Sequence, residues 1–223
     1  MNKKPIVLFD IDYTLFDMGK FRIKMFGEII KKIKHERIGN LEEVLDSAYF
    51  LYRKESGTFD PKSFIKYLVK KLKVKVKPEI LEKAITQKSI FLGHLYEETK
   101  EVLQGLSKNK SLKIGIFSGG EINFQKNKLK EVEEYLHKKH MHIFTFKHRQ
   151  LSSIVEKYKR QNLYLIDDYL EILHAAKKSN ENIFTVWVKR GRFAVEHKGI
   201  SGFQPDATVR NLREVVRILN SKF

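Results

Sequence analysis

Ile6-Val7-Leu8-Phe9-Asp10-Ile11-Asp12-Tyr13-Thr14 runs from an unbroken apolar stretch into two carboxylates two positions apart. A continuous β-branched and aromatic run of this length reads as a strand buried on both faces of a parallel sheet. Open α/β sheets bind ligands beyond the carboxyl ends of such strands. Asp10 and Asp12 are therefore expected at the mouth of a site. Three further segments repeat the pattern. Leu112 to Gly120 ends in Ser118-Gly119-Gly120, His142 to Phe146 leads into Lys147, and Leu163 to Ile166 leads into Asp167-Asp168. Carboxylates, a hydroxyl and an amine are predicted to converge on one edge of one sheet.

Between the first and second of these segments the periodicity is helical. Phe21, Met25, Ile29 and Ile33 recur at i+4, with lysines on the other faces, and the pattern breaks near Gly39. Asn40 reads as the cap of a second helix carrying Leu41, Val44, Leu45 and Ala48, which Ser56-Gly57 interrupts. Asp60-Pro61 opens a third, and Pro78-Glu79 a fourth. Lys73-Val74-Lys75-Val76-Lys77 alternates like a strand but is short and runs into Pro78, so it reads as a link. From about residue 100 strands and helices alternate, including Ile183 to Val188, Asp206 to Val209 and a closing helix over Leu212 to Leu219. The expected architecture is a parallel α/β core, residues 1–17 and 100–223, interrupted after its first strand by an all-helical unit over 18–99, a size suited to a small domain.

Composition narrows the function classes. Apolar residues make up 42% of the 223, enough for a sizeable core, and no run approaches the roughly 20 apolar residues of a membrane span. Residues 1–5 lead straight into a strand, which leaves no room for a signal peptide, so a cytoplasmic protein is expected. The absence of cysteine excludes disulfides, thiolate metal sites and a Cys nucleophile. Lys and Arg number 44 against 27 Asp and Glu, a net charge of +17 that favours anionic partners: phosphorylated metabolites, nucleic acid or an acidic surface.

The strand-end residues suit phosphoryl transfer. Asp10 can attack phosphorus to form an acyl-phosphate, while Asp12 can protonate the leaving group and later activate water. The spread negative charge of the transferring group calls for Mg²⁺ and fixed cationic or N–H donors. Asp168 and Asp167 offer the hard oxygens Mg²⁺ prefers, Lys147 a point charge, and Ser118 with the Gly119 N–H contacts to phosphate.

These motifs resemble the haloacid dehalogenase-like (HAD) superfamily of aspartyl-phosphate hydrolases across essentially the whole chain. Its DxDxT motif is matched by Asp10, Asp12 and Thr14, its strand-closing Ser/Thr by Ser118, its lysine by Lys147, and its acidic pair by Asp167 and Asp168. The resemblance implies a Rossmann-like core with a C1-type cap over 18–99 that selects small substrates. It implies Asp10 as nucleophile, Asp12 as general acid/base, and Thr14, Ser118, Gly119 and Lys147 as phosphate-binding. It also implies Mg²⁺ held by Asp10, the main-chain carbonyl of Asp12 and Asp168, with Asp167 in support. The second Asp marks the phosphatase and phosphomutase branches rather than the carbon–halogen cleaving one. The expected activity is a Mg²⁺-dependent phosphatase on a small phosphomonoester, with a phosphomutase as the alternative.

The chain departs from the family in three places. Tyr13 stands where many relatives have Gly, Lys147 is followed by His148-Arg149 where relatives have Pro, and Asp167 replaces a common Gly. Lys126, Lys128 and Lys130 stay open as alternatives for the motif lysine, and Glu171 as a holder of metal-bound water. From another class, a basic nucleic-acid or protein-binding module on the same scaffold is permitted by the charge, although the aromatics lie at core spacings. His137, His140, His142 and His148 lack carboxylate partners at matching intervals and read as ordinary residues, and Trp187 reads as core. Lys189-Arg190-Gly191-Arg192 is either an anion contact or a basic loop. Tyr13, Phe16, Phe21, Arg22, Tyr49 and Arg53 are expected near the entrance.

Overall fold

Six strands pair in parallel in the order β3-β2-β1-β4-β5-β6. They are β1 (Ile6–Phe9), β2 (Lys113–Gly119), β3 (Met141–Phe144), β4 (Leu163–Asp167), β5 (Phe184–Val188) and β6 (Ala207–Val209). The computed structural model describes residues 4–33, 40–191, 193–196 and 199–222. The sheet grows away from β1 in both directions, so β1 and β4 flank the switch point where a crevice opens beyond the strand ends. Asp10 follows β1 and Asp167-Asp168 close β4 on either side of that crevice.

Strand alternation sorts the core. Val7, Phe9, Ile114, Ile116, Tyr164, Ile166, Val186 and Val188 face one side; Ile6, Leu8, Phe117, Leu163, Leu165 and Trp187 face the other. The second side is covered by α7 (Lys147–Tyr158) and α8 (Leu170–Ser179), through Leu151, Ile154, Ile172 and Leu173. The first side continues without a break into the helices between β1 and β2. These are α1 (Met18–Ile33), α2 (Leu41–Ser56), α3 (Pro61–Leu72) and α4 (Pro78–Thr86), followed by α5 (Thr99–Lys108). After β2 comes α6 (Ile122–Lys128), and the chain ends with a one-turn α9 (Phe193–Glu196) and α10 (Leu212–Asn220). Among the described residues no helix is long and apolar enough to cross a membrane.

Local chemistry accounts for the helix limits. The Asn40 side chain accepts from Glu43 N, and α2 stops at Gly57 with φ +70°. Asp60 accepts from Ser63 N at 2.7 Å with Pro61 in the first turn of α3, and Lys73 ends that helix at φ +53°. The alternating Lys73 to Lys77 segment is accordingly a link rather than a strand. The chain crosses out to α1 and returns as adjacent segments: Asp17 N donates to His94 O at 2.8 Å and Tyr96 N to Leu15 O at 3.0 Å. The expected helix end near Gly39 lies outside the described residues.

One strand differs from the expectation. The apolar run from His142 suggests a strand reaching Lys147, but β3 ends at Phe144, which pairs with Gly119. Because β2 also ends there, residues 145 and 146 have no ladder partner, and Lys147 instead opens α7.

Candidate active site

The turn after β1 shapes the first half of the site. The Ile11 carbonyl accepts from the N–H groups of Thr14, Leu15 and Phe16, winding the chain into one tight loop. Tyr13 takes φ +58° within it, a region that disfavours a bulky side chain. Its ring is pressed against Gly191, where an added Cβ would stand 2.3 Å from Tyr13 Cδ1. Glycine there gives the loop after β5 room to buttress the tyrosine.

Asp10, Lys147 and the acidic pair form a buried cluster. Lys147 Nζ donates to Asp10 Oδ1 at 2.6 Å and to Asp167 Oδ2 at 2.7 Å, while Tyr169 N donates to Asp167 Oδ1 at 3.0 Å. Lys147 lies across the end of β2, where a Cβ on Gly119 would stand in ordinary contact with Lys147 Cγ at 3.4 Å. Burial opposes charge on Lys147, but the carboxylates of Asp10 and Asp167 outweigh it and hold its pKa above the usual lysine value. Burial raises Asp10 against the pull of Lys147, with the Asp12 charge adding to the rise. It lifts Asp167 to about 7, and raises Asp168 well above the normal range with help from the charges of Asp10 and Asp167.

A divalent cation fits this arrangement. Asp10, Asp167 and Asp168 each bring a carboxylate oxygen within 4.8 Å of the others. Asp168 Oδ2 is buried with no hydrogen-bond partner among the described residues. With all three carboxylates ionised, Lys147 neutralises only one, which leaves a formal charge of −2 in a buried, all-oxygen donor set of the kind Mg²⁺ takes. Glu171 is exposed and stands outside the cluster.

The Asp12 carboxylate is held apart from these groups. Lys128 Nζ donates to its Oδ1 at 2.6 Å and Gln125 Nε2 to its Oδ2 at 3.1 Å. Both partners lie on α6, three residues apart. Lys128 therefore reaches the site as Asp12's partner, and Lys147 is the lysine at Asp10. Lys126 and Lys130 do neither: Lys126 is exposed and Lys130 pairs with Glu133 at 2.8 Å.

A cavity of about 580 Å³ opens over these groups. Asp10, Asp12, Ser118, Gly119, Lys147 and Asp168 line it from the sheet side, and Tyr49, Arg53 and Thr58 from α2 and the turn after it. Tyr13, Tyr49 and Arg53 thus lie where the sequence places them. Phe16 and Phe21 do not line it: both are fully buried, Phe21 stacking on Phe91 at 5.0 Å. Arg22 sits in a separate groove of α1 and α2, paired with Asp46 at 3.1 Å and packed over Phe50. Thr14 is also fully buried and does not line the cavity: its carbonyl accepts from Arg190 Nη2 at 2.7 Å, and its hydroxyl is buried with no hydrogen-bond partner among the described residues.

The basic loop after β5 is largely structural. Arg190 pairs with buried Glu98 at 2.8 Å and stacks over Tyr96 at 3.8 Å, and Glu98 also accepts from Leu212 N. Burial raises Glu98, but the Leu212 N–H and the Arg190 guanidinium overcome it and hold the carboxyl below its usual value. Arg192 lies outside the described residues. His140 and His142 both bond the Tyr158 hydroxyl, at 2.7 and 2.6 Å, and burial lowers each to about 4. The roles of Gln125, Glu98 and Gly191 are not evident from their own motifs. The spacing of Gln125 and Lys128 just after the Ser118 strand is the one local signal for the Asp12 pair.

The sequence matches no protein-family model, and no curated protein matches it. Solved structures match along nearly the full chain. A haloacid dehalogenase-like hydrolase from Burkholderia xenovorans is 21% identical, with a TM-score of 0.76 over 96% of this chain and 97% of that one. The HAD-hydrolase YfnB from Bacillus subtilis, bound to magnesium, is 15% identical, with a TM-score of 0.69 over 98% and 99%. A HAD phosphatase from Thermococcus onnurineus is 19% identical, with a TM-score of 0.60 over 97% and 98%. L-2-haloacid dehalogenases also match. The sheet order, the helices inserted after β1 and these likenesses together show that this chain has the fold of the haloacid dehalogenase-like hydrolases.

Proposed function

We propose that this chain is a Mg²⁺-dependent hydrolase of small phosphomonoesters that works through phosphorylated Asp10. The observation that carries the reading is the second carboxylate. Asp12 stands beside the cavity two residues after Asp10, with both oxygens anchored by Lys128 and Gln125. A phosphoester needs a proton donor for its alkoxide and a base for the later water, and in this reading Asp12 serves as both. A dehalogenase, whose halide leaves without a proton, has no need of the donor.

In this reading the Asp10 carboxylate attacks phosphorus while Lys147 fixes its orientation and balances part of the local charge. Asp12 gives a proton to the departing oxygen. It then takes one from the water that attacks the aspartyl-phosphate, which frees phosphate and restores Asp10. Ser118 Oγ, buried beside the Asp10 carboxylate, is a donor for a phosphoryl oxygen. Asp10, Asp167 and Asp168, with the Asp12 carbonyl, would hold Mg²⁺, which supplies charge neutralisation at the transferring group. Helices α1 to α4 act as a cap, and Tyr49 and Arg53 contact the part of the substrate beyond the phosphate.

The test is phosphate release from a panel of phosphomonoesters, with and without Mg²⁺, for the wild type and Asp10→Asn. Metal-dependent turnover that the substitution reduces by about 10³-fold or more is expected, since it removes the nucleophile. Equal, negligible rates for both proteins would refute the hydrolase.

A further inference from the structure

Lys128 is an unusual lysine. Its side chain is 2% exposed against 26% for its partner Asp12. Its ammonium lies over the rings of Phe16 and Phe124, at 5.5 and 5.1 Å, and its one hydrogen bond among the described residues goes to Asp12 Oδ1. Burying an ammonium with a single carboxylate partner is unfavourable unless the geometry is good. The surroundings supply it, because two aromatic faces stabilise the cation where water does not.

Gln125 completes the grip. Its amide nitrogen donates both to Asp12 Oδ2 and to the Gly119 carbonyl. Gly120, at φ +135°, leaves space for it: a Cβ there would fall 2.8 Å from Gln125 Nε2. The strand end that presents Ser118 to the cavity thus leads directly into the helix that holds Asp12.

We propose that Lys128, assisted by Gln125, is the positioning residue for Asp12. It fixes the carboxylate at the angle from which a proton passes to the leaving oxygen. The proposal rests on the phosphohydrolase reading. It predicts a dependence on leaving group that a purely structural ion pair does not produce. Aryl phosphates with an acidic phenol depart with little help, whereas alkyl phosphates need their oxygen protonated in the transition state.

The experiment compares Lys128→Met with wild type on p-nitrophenyl phosphate and on a simple alkyl phosphate, both with Mg²⁺. Methionine suits the slot between two rings, and circular dichroism establishes folding. For the alkyl ester kcat/KM, which reports formation of the aspartyl-phosphate, should fall about 100-fold, within the span of general acid–base catalysis. The aryl ester should lose less than about fivefold in kcat/KM, while kcat falls alike for both wherever hydrolysis of the shared aspartyl-phosphate limits turnover. Asp12→Asn should show the same selectivity, and the double variant should be little worse than Asp12→Asn alone. Should Lys128→Met fail to fold, Gln125→Met carries the same test with the ammonium left in place. Equal losses of kcat/KM on both esters, or losses that multiply in the double variant, would overturn the positioning role alone. A wild type inert on both esters would remove the phosphohydrolase reading and this proposal with it.

Discussion

Withdrawing divalent cations should make the stability of this protein fall as pH rises, in a defined window. Asp10, Asp167 and Asp168 share one ammonium, and burial raises the pKa of all three in the folded state. A carboxyl with a raised folded pKa binds more protons folded than unfolded between the two values, so stability declines across that interval as pH increases. For Asp167 the interval runs from 3.8 to about 7. Asp10 and Asp168 titrate together with it, so the loss belongs to the three-carboxylate cluster and continues toward neutral pH. Mg²⁺ competes with these protons, so its stabilising effect should be small at acid pH and grow toward pH 8. At a hundred times Kd it contributes about 2.7 kcal/mol, or roughly 5–11 °C in Tm for a chain of this size. The assay is thermal unfolding in EDTA and in Mg²⁺ at a series of pH values. Asp168→Asn serves as the control that should abolish the growth of the Mg²⁺ increment. A Tm in EDTA that stays flat or rises between about pH 5 and 7, or a Mg²⁺ increment independent of pH, would refute the charge argument.

Two further substitutions probe the frame around the site. Gly191→Ala should lower stability by roughly 1–3 kcal/mol, because it adds a Cβ onto the Tyr13 ring at positive φ. Introducing Tyr13→Gly should recover the steric share in a double-mutant cycle of unfolding free energies, and additive effects would show that ring and loop do not bear on each other. Arg190→Met leaves Glu98 buried without its cation and should cost about 3–5 kcal/mol in urea unfolding near neutral pH. Since Glu98 is held below its usual pKa, the wild-type contribution should fade as pH drops through the folded value, so the two proteins converge in acid.

The elements that carry chemistry were readable because parallel strands are buried on both faces and leave long apolar runs. Each run stops where the chain meets the crevice, so Asp10, Ser118 and Asp167 mark their own positions. Lys147 was legible as a residue but not as the first residue of a helix, since the end of β3 is decided by where its neighbour β2 stops. Contacts between distant segments left no local trace. The Asp12–Lys128 pair spans 116 positions and the Arg190–Thr14 bond 176. Phe21 shows the same limit: helical spacing places it on an apolar face, but whether that face meets the cavity or the packed rings of Phe16 and Phe91 depends on tertiary packing.

The crossing between sheet and inserted helices constrains what can be built there. Asp17 N and His94 O lie within one hydrogen bond of each other, and the Leu15 carbonyl ties down both Tyr96 and Thr99. The backbone therefore leaves and re-enters the sheet layer through one narrow doorway. At that doorway the core specifies only that two chain ends arrive side by side. The intervening length, and with it the side chains facing the cavity, can be exchanged in evolution or by design while the strand ends that bear the carboxylates keep their positions.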